Sequence, residues 1–106
     1  MINAYINLDK KHASFLQMFK DVGIKKLNIK KVENQNELDI SLTSLSKYGE
    51  TKKDLSDIES ASKTIPELII CDEEDFNQTL DLIKNPRIEV ISSSSGLVEV
   101  NARIES

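Results

Sequence analysis

The chain has 106 residues, enough for one domain with one core (1–106), and it is 39% hydrophobic against 30% charged. An aromatic content of 5% with no tryptophan disfavours single-stranded nucleic-acid binding, which needs stacking rings on a basic groove. The net charge of -4 hides a sorted distribution: seven lysines and one acid lie between Lys10 and Lys31, nine acids and one lysine between Asp54 and Asp81.

Ile2 to Asp9 alternates apolar and polar residues, the period of a half-buried strand. The start is not an apolar block of the signal-peptide kind, and no apolar run approaches the length of a bilayer span. Phe15, Leu16, Phe19 and Val22 mark one helical face, with Asp9 as its cap and Gly23 at its end. Leu27 to Val32 and Leu38 to Leu42 read as strands joined by the polar turn Glu33-Asn34-Gln35-Asn36-Glu37, a hairpin. Tyr48-Gly49 breaks the chain. Leu55, Ile58, Ala61 and Ile65 then make a narrow stripe on a surface helix over Thr51 to Lys63, which Pro66 closes.

Leu68-Ile69-Ile70-Cys71 is a continuous apolar run, as in a strand covered on both faces. Asp72-Glu73-Glu74-Asp75 opens a third helix, with Phe76, Leu80 and Ile83 as its buried face and Asn85-Pro86 as its end. Ile88 to Ile91 and Leu97 to Ile104 flank Ser92-Ser93-Ser94-Ser95-Gly96 as a C-terminal hairpin. The order β-α-β-β-α-β-α-β-β makes this an α/β (α+β) chain with a ferredoxin-like start and a mainly antiparallel sheet.

The sharpest chemical candidates are acids at strand ends. Asp9 and Asp72 would make a Mg²⁺ site if their strands were parallel neighbours. In a ferredoxin-like sheet they sit at opposite ends, and Asp72 serves as an N-cap whose acidic neighbours complement the helix dipole. His12 is the only histidine; with no second histidine and no Ser-His or Cys-His motif, it reads as a packing residue. Cys71, the only cysteine, reads as an inert small hydrophobe in a reducing, cytoplasmic setting.

Ser92 to Gly96 resembles the Asp-Ser-Ser-Gly phosphoacceptor turn of anti-sigma-factor antagonists of the STAS family. The aspartate and the helix that follows it there are missing here, so the segment reads as a hairpin loop.

These readings favour a non-enzymatic protein-binding or assembly module, such as a component of a phage or bacterial assembly. Its interaction residues are Lys25, Lys26, Lys30 and Lys31 on the basic side and Glu73, Glu74 and Asp75 on the acidic side. Its partner is itself or another protein, with no membrane, cofactor or metal and with nucleic acid disfavoured. Two alternatives are a small Mg-dependent or phosphoryl-handling enzyme using Asp9 and Asp72, and an acidic inhibitor of a nucleic-acid-binding protein.

Overall fold

Five strands form one sheet in a computed structural model, which describes residues 1–19, 23–58, 65–82 and 87–92. They are β1 (Ile2–Asn7), β2 (Ile24–Lys26), β3 (Ile40–Ser44), β4 (Glu67–Cys71) and β5 (Ile88–Ser92). Helix α1 (Tyr48–Ser56) follows β3, and α2 (Phe76–Leu82) follows β4. The sheet order is β2-β1-β3-β4-β5, and every neighbouring pair runs parallel. The expected ferredoxin-like, mainly antiparallel sheet is overturned. The observed order is that of flavodoxin-like doubly wound sheets. A strand order by itself assigns no function.

The difference begins between β2 and β3. The apolar positions of Leu27 to Val32 do not mark a strand. Val32 is buried with Tyr5, Leu38 and Ile65, and Leu27 and Ile29 pack against that cluster. The Asn28 side chain accepts the Lys30 backbone N–H at 3.1 Å and starts a 3-10 turn over Ile29–Lys31. The expected hairpin turn is instead a capping box. Asn34 accepts the Asn36 N–H at 2.8 Å, and Glu37 accepts the Asn34 N–H at 2.9 Å. Such side-chain bonds compete with a strand ladder for the backbone. Freed from hairpin pairing, the chain crosses over and β3 pairs with the far side of β1.

Register sorts the core onto two faces. Ala4, Ile40, Leu42, Leu68, Ile70 and Ile91 share one face and bury with Ile6 under Phe15, which stands on a 3-10 helix (Ala13–Phe19). The other face carries Tyr5, onto which Leu55 and Ile58 pack from α1 and just beyond it. The run Leu68–Cys71 is buried throughout, as a central parallel strand requires. All of β3 is buried too, although three of its five residues are Ser or Thr.

Two helix readings also change. Tyr48 and Gly49 open α1 rather than break the chain. In α2, Leu80 is 45% exposed while Thr79 is buried at 3%, so the expected buried face is turned away from Leu80. Ile83, Ala61, Val22 and the second strand of the C-terminal hairpin lie outside the described residues. Gly23 holds a φ of +72°, the left-handed region that favours glycine. Among the described residues, no helix is long and apolar enough to cross a membrane.

Candidate functional site at the carboxyl edge

Parallel strands deliver their carboxyl ends to one edge, the edge where open α/β sheets hold ligands. Asp9 lies two residues past β1, Ser46 two past β3, and Asp72 directly after β4. The acids expected at opposite ends of the sheet therefore face each other.

His12 joins them. Its Nδ1 lies 2.8 Å from Asp9 Oδ1 and its Nε2 3.1 Å from Asp72 Oδ1. The ring is buried, at 8% side-chain exposure, while both carboxylates keep 22%. The packing role expected of His12 is thus incomplete: the ring is buried, but both its nitrogens are engaged. Asp9 does cap as expected, its Oδ1 accepting the His12 backbone N–H at 2.9 Å. Its Oδ2 takes the Ser46 hydroxyl at 2.6 Å, and its own N–H donates to Ser44 Oγ at 2.8 Å. The loops after β1 and β3 meet on this one residue.

Asp72 is not a side-chain cap. Its carboxylate makes no bond to the N–H groups that follow; Asp75 N–H reaches only the Asp72 backbone oxygen, at 2.9 Å. The carboxylate turns back to Lys11 and His12 instead. The reason is competition: the Lys11 ammonium and the His12 ring occupy the oxygens that a backbone N–H would otherwise reach.

These contacts set the acidities. Burial pushes Asp9 up, but the Ser46 hydroxyl and the His12 backbone and ring outweigh it and hold the carboxyl below its ordinary range. The Lys11 ammonium, then His12, hold Asp72 down against its own desolvation. Lys11 is raised in return by Asp72. Burial pushes the neighbouring Cys71 thiol up, with Thr79 partly opposing and Asp75 and Asp72 adding to the rise. At neutral pH the pocket therefore holds carboxylates and a thiol rather than a thiolate.

A cavity of about 190 Å³ opens beside this clasp, lined by residues that include Leu45, Ser46, Cys71, Asp72 and Asp75. Asp72 and Asp75, with the nearby Glu74, each offer one oxygen, and these lie within 4.8 Å of one another, close enough to hold one cation.

A second, larger cavity of about 410 Å³ lies toward β2. Tyr5 Oη donates to Asp54 at 2.8 Å and accepts from Asn7 Nδ2 at 3.2 Å. Lys26, Leu27, Ile29 and Glu50 complete most of its wall. Burial, only partly relieved by Thr51, raises the Tyr5 phenol, so the hydroxyl keeps its proton.

The interaction residues read from the sequence fall on two flanks. Lys25 and Lys26 stand exposed on edge strand β2, and Lys30 and Lys31 stand exposed in the turn beyond it. Glu73 and Glu74 are exposed past β4, while Asp75 is half-buried and lines the smaller cavity. Lys11, Ser46, Tyr5, Asn7 and Asp54 are site residues that the sequence reading missed. Asn7 and Ser46 carried a usable signal, because each is a polar residue at or just after the end of a buried strand. Lys11, Tyr5 and Asp54 carried none. No family model, curated protein or solved structure matches this chain.

Proposed function

We propose that this chain is a non-enzymatic binding domain that docks a second copy of itself or another protein through opposite charges on its two flanks. The observation that carries the reading is that four lysines at and beyond β2 and two acids beyond β4 stand exposed on different flanks of the sheet. Lys25, Lys26, Lys30 and Lys31 flank β2 and make no ion pair among the described residues. Glu73 and Glu74 lie beyond β4, three strands away, a lateral separation of at least about 14 Å. Screening at physiological salt acts over roughly 8 Å, so the flanks do not neutralise each other on one molecule. They remain available to a partner, and a basic-to-acidic contact between copies is heterologous, closing into rings or running on as filaments. Lysines on a short edge strand also discourage strand-to-strand pairing, which leaves charge as the mode of contact.

Charge reversal tests this. Light scattering at low salt should show association that high salt reverses. Replacing the four lysines by Glu, or Glu73 and Glu74 by Lys, should each weaken it, and mixing the two variants should restore it. A monomer at every salt concentration, with no host protein recovered on the parent chain, refutes the proposal.

A second reading, metal-dependent phosphoryl handling, is favoured by one observation: Asp9 and Asp72 converge beside the Asp72-Glu74-Asp75 oxygens. Against it, one Asp72 oxygen already faces the Lys11 ammonium and the other the His12 ring. A thermal shift with stoichiometric Mg²⁺ or Mn²⁺, abolished by Asp72→Asn, would establish it over the docking reading.

A further inference from the structure

We propose that the larger cavity, between the carboxyl end of β1, the segment after β2 and helix α1, binds a small zwitterion of the free α-amino acid class. Its volume of about 410 Å³ falls within the range of small-molecule sites. The wall carries both signs of charge, with Lys26 on one element and Glu50 and Asp54 on another. These groups do not pair with each other. Lys26 makes no ion pair among the described residues, Asp54 accepts the Tyr5 hydroxyl at 2.8 Å, and Glu50 has only a long contact of 3.9 Å to Lys47. A cation and two carboxylates that line one cavity without meeting leave room between them for a ligand bearing both complements.

An α-amino acid supplies them. Its carboxylate faces the Lys26 ammonium and its ammonium faces Asp54 and Glu50, while Leu27 and Ile29 offer apolar surface to its side chain. Selectivity follows from the same groups. A simple anion meets the two carboxylates, and a simple cation meets Lys26, so each loses one favourable contact and gains a repulsive one. The polar wall is held in advance. Tyr5 is buried at 4%, and its hydroxyl bridges Asp54 and Asn7, whose amide also lies 3.4 Å from Thr51 Oγ1. Groups fixed by such supporting bonds need little reordering when a ligand arrives.

The test is binding of the twenty free L-amino acids, each at millimolar concentration, followed by thermal shift and by amide chemical-shift perturbation on the full chain. At least one should raise the melting temperature and move the amides of 26–29 and 50–54. The N-acetyl and carboxamide derivatives of that amino acid should fail, since each removes one charge. Lys26→Met and Glu50→Gln, both exposed positions that do not anchor the fold, should weaken binding about tenfold or more. Glu50→Gln leaves the lysine-rich flank intact, so its effect is separable from partner docking. If no amino acid binds, if the blocked derivatives bind as well, or if both variants bind like the parent, the proposal is wrong.

Discussion

His12→Ala tests whether the carboxyl edge is held together by the buried imidazole. The substitution removes a ring whose nitrogens lie 2.8 Å and 3.1 Å from carboxylates on loops that follow two different strands. A hydrogen bond to a charged partner contributes about 1.5–3 kcal/mol when buried. Both carboxylates keep 22% side-chain exposure and can rehydrate once the ring is gone. The two bonds therefore do not count in full, and the expected loss is about 2–4 kcal/mol for the pair together. With a urea slope near 2 kcal/mol per molar, that lowers the midpoint by about 1–2 M. The acid limb gives a second readout. The Asp9 carboxyl is held below its ordinary value of 3.8, so ionised Asp9 contributes stability above that pH and the contribution is lost as pH falls through the lower folded value. Without the imidazole one of the groups that depress it is gone, and the acid-induced loss of stability should be shallower. An unfolding midpoint within error of the parent, together with an unchanged acid limb, would show that the ring merely fills space and that the loops are held by other contacts.

Asp72→Ala and Asp72→Asn should destabilise alike in urea, because the carboxylate pairs with Lys11 and His12 rather than capping a helix; an Asn variant as stable as the parent would restore the capping role. Glu67→Gln should raise the melting temperature at neutral pH. Desolvation raises the Glu67 carboxyl and Lys52 only partly offsets it, so the gain should vanish on acidification below the ordinary carboxyl value of 4.5, where the parent is protonated too. Cys71, 1% exposed and with its thiol pushed up by burial, should resist a thiol reagent at neutral pH until the chain unfolds, whereas stoichiometric labelling of native protein would mean that the smaller cavity opens.

What the sequence disclosed was the strands most strongly marked by apolar residues. β1 and β4 stand where alternation and an unbroken apolar run place them, and Asp9 caps the turn after β1. Strand direction was not legible, because a parallel and an antiparallel strand of the same composition look alike when both faces are covered. β3 hid its burial behind Ser41, Thr43 and Ser44, two of which find partners only in the folded chain: Thr43 Oγ1 bonds Thr51 Oγ1 at 3.2 Å, and Ser44 Oγ accepts from Asp9. Leu27, Ile29 and Val32 imitated a strand because loop residues that pack under a helix can also be apolar at intervals of two or three. The site followed the fold. In an antiparallel sheet Asp9 and Asp72 lie far apart, and His12 has no partner to make it more than a core residue.

The parallel topology links the sorted charge to the buried site. Each crossover returns the chain to the amino end of the sheet, so the first residues after β1, β3 and β4 collect along the carboxyl edge whatever their separation in sequence. Lateral position along that edge is set by strand order alone, and the order places Lys25 and Lys26 beside β1 and Glu73 and Glu74 beyond β3. Lys11 departs from the sorting, as does Asp54, which lines one cavity with Lys26. Lys11 comes from the lysine-rich segment, yet it follows β1, one strand nearer the acids, and pairs with Asp72. Lys11 and His12 are committed to Asp9 and Asp72 within the molecule. The outer lysines at positions 25, 26, 30 and 31 and the outer acids Glu73 and Glu74 are not. With the centre of the edge paired and its flanks unpaired, the charge-reversal exchange between the two flanks is the measurement that bears most directly on the proposed docking.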